Sequence, residues 1–130
     1  MSARKRVTMK KKLRIAIIGS RRRLDKEKVE ALVNELPDNA VIISGGCRGP
    51  DLWAAGAARS RGLEVIEHLP KKIDPNASYF EVVQTYYDRN LLIAEDAVDG
   101  IFAFPSEDRR GGTENTLKYA KKLKRKIVLL

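Results

Sequence analysis

Two rhythms of apolar and polar positions alternate along this chain. Five short runs rich in Ile, Val and Leu, bounded by glycine, proline or polar turns, read as buried strands: "LRIAIIGS" (13–20), "AVIIS" (40–44), "LEVIEHLP" (63–70), "DGIFAFP" (99–105) and "KIVLL" (126–130). Between them the spacing turns helical. Val29, Leu32, Val33 and Leu36 stand at i, i+3, i+4 and i+7, and Pro37 stops the run. In "GPDLWAAGAARSRG", Pro50 and Asp51 open a helix and Gly62 lies just past its end. Ser78 followed by Glu81 fits a capping box, which predicts a helix from there to about Ala94. "TENTLKYAKKLKR" predicts a fourth helix over 113–125. Strands that alternate with helices and are apolar throughout predict a parallel sheet covered on both faces. The expected fold class is therefore α/β: a single Rossmann-like domain with a mostly parallel five-stranded sheet.

Length agrees with this, since 130 residues make one domain and leave no room for a second. No apolar run approaches the roughly 18–20 residues that span a bilayer, and the basic start "MSARKRVTMKKK" lacks a small-residue cleavage site, so the expectation is a cytoplasmic protein with no membrane partner. Cys47 and His68 are single representatives of their types, too few for a disulfide framework or a Cys/His metal site. They read as a small core residue and a strand-end surface residue. The net charge of +9 suggests nucleic acid, but six of those charges fall on Arg4, Lys5, Arg6, Lys10, Lys11 and Lys12, which leaves +3 for the rest. Residues 1–12 are expected to form a disordered basic tail ahead of a domain over 13–130. The cluster "KKLKRK" (121–126) suits the negative end of a helix dipole.

Ligands of such sheets bind at the carboxyl ends of the strands, near the point where strand order reverses. Three of the five strands end there in glycine-bearing loops: "GSRRR", "GGCRGPD" and "PSEDRRGGT". These bring Arg21, Arg48, Arg109 and Arg110 to one edge beside helix N-termini, where N–H groups and the dipole attract anions and arginine adds bidentate contacts. Each glycine pair alone also fits a tight turn. Asp51 fits either a dipole-complementing helix residue or a contact to a ribose. Trp53, Tyr86 and Tyr87 fit core packing, with base stacking as the alternative.

The segments "GSRRR", "SGGCRGPDLWAAGAAR", "YYDRNLLIAEDAVDGIFAFP" and "GGTENTLKYA" resemble, in order and spacing, the SLOG superfamily, over about Arg14 to Leu130. That superfamily includes the Lonely Guy phosphoribohydrolases and the DNA-processing A proteins. The resemblance implies a stand-alone Rossmann-like nucleotide-binding domain, with a nucleotide or nucleotide-derived ligand across Gly19, Ser20, Arg21, Gly45, Gly46, Gly49, Asp51, Arg89, Asn90, Gly111, Gly112 and Thr113. It also implies pairing of subunits, so a homo-oligomer is expected. Lonely Guy enzymes carry a glutamate three positions after the threonine of a PGGxGTxxE-like motif. Here that position is Thr116, which has neither a base nor a charge for an oxocarbenium-like transition state. Glu114 lies two residues earlier, about 200° around the helix.

The expectation is thus a non-catalytic binder of a phosphorylated nucleotide, a sensor or carrier with no separate cofactor. Two alternatives stand beside it. One is an N-glycosidic hydrolase or transferase with a surrogate carboxylate among Glu107, Asp108 and Glu114. The other is a nucleic-acid-binding module that uses the basic tail.

Overall fold

The computed structural model describes residues 11–130; most of the basic tail, residues 1–10, lies outside the described residues. Among the described residues, five strands, β1 (Leu13–Gly19), β2 (Ala40–Ser44), β3 (Glu64–Glu67), β4 (Gly100–Phe104) and β5 (Ile127–Leu129), alternate with four helices. These are α1 (Lys26–Glu35), α2 (Pro50–Ser60), α3 (Tyr79–Asp96) and α4 (Gly112–Lys122). All four strand pairings are parallel, in the order β3-β2-β1-β4-β5. The architecture is that of the single Rossmann-like α/β domain expected from the alternation.

Strand alternation divides the core. Ile15, Ile17, Ile42 and Phe104 point to the face covered by α1 and α2, through Val29, Val33, Ala54 and Ala58. Ala16, Ile18, Ile43 and Ala103 point to the opposite face, covered by Ile93, Ala94 and Ala97 at the end of α3 and by Leu117 and Ala120 of α4. Burial on both faces explains why these strands read as unbroken apolar runs. The small residues Ala54, Ala58, Ala94 and Ala120, all fully buried, let the helices approach the sheet closely.

The helix ends follow their signals. Ser78 accepts from the Glu81 N–H while the Glu81 side chain accepts from the Ser78 N–H, so the capping box that opens α3 is complete. Gly62 takes a φ of +79° just beyond α2. The expectation of strands apolar throughout fails at the two sheet edges. Glu64 and Glu67 of β3 are exposed, as are Val128 and Leu129 of β5, because an edge strand has a neighbour on one side only. α4 ends at Lys122, short of the expected Arg125, where Lys124 turns to a φ of +59°. Among the described residues, no helix is long and apolar enough to cross a membrane.

Candidate functional site

The chain runs outward from β1 to β2 and β3, then returns to place β4 on the other side of β1. Strand order reverses between β1 and β4, and the crevice beyond their carboxyl ends is where an open α/β sheet binds ligands. A cleft of about 970 Å³ opens there. It is lined by Ile18, Gly19 and Asp51, by the inner face of α3 and by the first turn of α4, whose Asn115 accepts a hydrogen bond from Asn90 of α3.

The β1 end is closed by a tight crossing. A side-chain carbon on Gly19 would come within 2.4 Å of Pro50 Cγ and 2.8 Å of the Phe104 carbonyl oxygen. Only glycine allows α2 to start this close to β1 and β4. Asp51, one residue further, is 4% exposed. One of its carboxylate oxygens accepts from the Gly19 N–H at 3.2 Å and the other from the Gly45 N–H at 3.1 Å, so it ties the β1 turn to the β2 turn. Burial pushes its pKa up to about 6, against the two backbone N–H groups and the nearby Arg89 charge, which favour the ionised form.

Arg89, 6% exposed, reaches in from α3. Its Nη1 donates to the Gly45 carbonyl at 2.6 Å, its Nε to Asn90 Oδ1 at 2.9 Å, and its Nη2 meets Cys47 Sγ at 3.4 Å. The Tyr86 ring lies 5.8 Å from the guanidinium carbon. No carboxylate forms a salt bridge with Arg89 among the described residues, although a buried cation ordinarily has such a partner. Arg21, Arg22, Arg48 and Arg110 also line the cleft, and Asp51 is the one carboxylate among its lining residues. The cleft is strongly electropositive.

At the β4 rim, Gly111 holds a φ of +109° and no side chain caps α4. The Glu114 N–H bonds back to the Gly111 carbonyl at 3.2 Å, which leaves the N–H groups of Gly112 and Thr113, both cleft residues, without a partner among the described residues. The N-terminus of α2 differs. There Pro50 has no N–H to offer, and the N–H groups of Leu52 and Trp53 bond back to the Cys47 and Gly49 carbonyls.

Of the twelve residues expected at the site, nine line the cleft: Gly19, Ser20, Arg21, Asp51, Arg89, Asn90, Gly111, Gly112 and Thr113. Gly45, Gly46 and Gly49 do not. They shape the β2 turn behind it, with Gly45 engaged by Asp51 and Arg89, and Gly46 and Gly49 at φ of +71° and +95°. A free Asp51 carboxylate for a ribose does not fit this geometry, since backbone N–H groups hold both oxygens. Arg109 turns away from the cleft and clasps Glu114 through two hydrogen bonds of 2.7 and 3.0 Å. Arg22, not expected there, takes a place in the lining while pairing with Asp108 at 2.6 Å.

Core packing is the wrong account of Tyr86 and Tyr87, which are 47% and 41% exposed and stand in the cleft wall with Tyr79 and Val83. Trp53 does pack against the core. Cys47 is a half-buried cleft residue and not a core one. His68 lies at a strand end as expected, with Nε2 held 2.8 Å from Asp96 Oδ2. The signal for the tyrosines was helix length. α3 has 18 residues, about 27 Å at 1.5 Å per residue, whereas β4 has five, about 17 Å. The surplus at the N-terminal end overhangs the sheet, so its inner face meets the cleft instead of the core. Asn115 and Thr116 complete the α4 rim; the Thr116 hydroxyl bonds back to the Gly112 carbonyl at 3.3 Å.

No family model matches this chain, and no curated protein matches it either. Two solved structures do. DNA processing protein A from Streptococcus pneumoniae matches with a TM-score of 0.73 and 21% identity, over 91% of this chain and 50% of that one. The structural genomics target TM1055 matches with a TM-score of 0.61 and 15% identity, over 88% of this chain and 71% of that one. The chain spans about half the length of the DNA processing protein A chain. At these identities the likeness shows the fold alone, a Rossmann-like α/β fold.

Proposed function

We propose that this chain binds a nucleotide, or a nucleotide-derived phosphorylated ligand such as ADP-ribose, at the carboxyl edge of the sheet, as a sensor or carrier. The observation that carries this is Arg89: a buried guanidinium in the switch-point cleft, without a salt bridge among the described residues, amid four further arginines. A phosphate group supplies the missing negative charge, and arginine suits it geometrically. The uncapped first turn of α4 adds backbone donors, and Tyr79, Tyr86 and Tyr87 offer faces for a planar base. The ligand site proposed comprises Gly19, Ser20, Arg21, Asp51, Arg89, Asn90, Gly111, Gly112 and Thr113, with Gly45, Gly46 and Gly49 shaping it from behind.

Turnover of an N-glycosidic bond is the weaker alternative. Glu114 is held by Arg109, Asp108 by Arg22 and Ser106, and Glu107 faces a separate hollow beside Leu24, so none of the three candidates lines the cleft. Nucleic-acid binding is supported by the likeness in fold to a protein named for DNA processing and by Tyr79 of the cleft wall with the exposed Phe80 beside it.

A thermal-shift panel of nucleoside mono-, di- and triphosphates, ADP-ribose, NAD and cyclic dinucleotides, with short single-stranded DNA alongside, separates these. A ligand at about 100 times its dissociation constant adds about 2.7 kcal/mol of stability, a rise of about 3–6 °C for a domain of this size. Shifts confined to one or two small phosphorylated compounds, and lost in Arg21→Ala, are the expected result. A shift with DNA alone would overturn the proposal.

A further inference from the structure

We infer that the cleft takes up its anion together with a proton, and that Asp51 is the residue that receives it. The inference rests on the anion-binding reading of the cleft and goes beyond it, because it assigns a titrating group and a linkage. Asp51 is the one carboxylate among the residues lining the cleft, and its oxygens are held by neutral N–H groups of Gly19 and Gly45 rather than by a salt bridge. Arg89 is the charge that acts on it directly, and the other charged or titratable groups lining the cleft are Tyr79, Tyr86 and Tyr87 on α3, Cys47 and Arg48 on the β2 turn, Arg21 and Arg22 on the β1 turn, and Arg110 on the β4 turn.

Arg89 stands close to Asp51 with Gly45 between them. A side-chain carbon built on Gly45 would lie 3.0 Å from Asp51 Oδ2 and 3.3 Å from Arg89 Nη1. In the empty cleft the carboxylate thus offsets part of the Arg89 charge. A bound phosphate takes over that role and places a second negative charge beside a carboxylate that is already desolvated. Two like charges in one poorly solvated site raise the pKa of the weaker acid. A unit charge about 7 Å away, at an effective dielectric constant of about 20, moves a carboxyl by more than one pKa unit. The free carboxyl titrates near pH 6. The bound form then titrates close to neutrality, and affinity rises as pH falls through that interval. Below the free pKa both forms are protonated and the gain is complete. Above the bound pKa neither is, and the dependence vanishes.

ADP-ribose is the probe, because its phosphodiester groups keep their charge from pH 5 to pH 8 and cannot imitate the effect. Calorimetric titrations across that range, in buffers of unlike ionisation enthalpy, measure both affinity and protons taken up. The expected result for the unaltered chain is about tenfold tighter binding at pH 5.5 than at pH 8, with net proton uptake near pH 7. Asp51→Asn is expected to bind with no pH dependence and no uptake. Since asparagine leaves one of the two N–H groups without an acceptor, carboxyl carbon NMR of the unaltered chain provides a second route, reading the Asp51 titration with and without ADP-ribose. ADP-ribose binding that is indifferent to pH, or an Asp51 midpoint unmoved by the ligand, would overturn the inference while leaving the cleft as an anion site. Failure of ADP-ribose to bind at any pH would overturn it together with the anion-binding reading.

Discussion

Replacing Arg89 with methionine separates a residue kept for a ligand from one kept for the fold. The perturbation removes a charge-assisted hydrogen bond to the Gly45 carbonyl at 2.6 Å and a bond to Asn90 Oδ1. Hydrogen bonds from a charged donor contribute about 1.5–3 kcal/mol each to stability. Against that loss stands the desolvation of a guanidinium that is 6% exposed and has no salt bridge among the described residues, a penalty of several kcal/mol that methionine abolishes. Methionine is long and flexible enough to fill the same channel. The opposing terms nearly cancel, and Arg89→Met is expected to lie within about 1–2 kcal/mol of the unaltered chain.

The remainder depends on pH in a defined direction. The Arg89 charge favours ionised Asp51, so its loss costs most where Asp51 is charged, above its pKa of about 6, and least at pH 5. Urea denaturation at pH 5 and pH 7 measures both values, and a nucleotide thermal-shift series on the same variant measures the ligand response. The expected outcome is a fold little changed at pH 5, somewhat weakened at pH 7, and without its nucleotide-induced shift at either. A loss above about 3 kcal/mol at pH 5, in the range of severe core lesions, would refute the reasoning and make Arg89 structural.

Three further outcomes are expected. Gly19→Ala drives a methyl into the Pro50 ring and the Phe104 carbonyl, and the urea midpoint should fall by the equivalent of about 1–3 kcal/mol, as for other overpacked sites. Ser78→Ala breaks the capping box of α3 and should cost about 1 kcal/mol, with faster amide exchange confined to the first turn, at Glu81 above all. The raised pKa of Asp51 makes the folded state bind a proton that the unfolded chain releases, so its contribution is complete below about pH 3.8 and is lost as pH rises through about 6. Two units of displacement correspond to about 3 kcal/mol; between pH 4 and pH 7 the unaltered chain should lose most of that stability relative to Asp51→Asn, and parallel curves for the two would remove the basis for a raised pKa.

The alternation of β-branched runs and amphipathic stretches was enough to read the fold, because every central strand is covered on both faces and local signals such as the Ser78–Glu81 capping box, Pro37 and Gly62 mark several helix ends. The edges of the sheet were less legible. β3 and β5 have strand-like sequences whose exposure depends on which neighbours they lack, and strand order is a long-range property. The site was legible as a set of loops and illegible as a division of labour among them. Gly45-Gly46 and Gly111-Gly112 are the same dipeptide in a strand-to-helix loop, the first directly after β2 and the second at the very start of α4. What distinguishes them is how the following backbone is satisfied. After Gly45-Gly46, Asp51 returns to bind the Gly45 N–H, Arg89 takes the Gly45 carbonyl, and the first N–H groups of α2 bond back into their own turn. After Gly111-Gly112 no side chain returns to cap α4, and its one acidic first-turn residue, Glu114, is drawn outward by Arg109. The β2 side of the cleft is thus a braced wall and the β4 side an open set of donors. On the anion-binding reading, an entering anion meets free N–H groups on α4 and the buried charge of Arg89 on α3, two helices joined here by the Asn90–Asn115 hydrogen bond, and Asp51 is the one lining group whose charge its arrival disfavours.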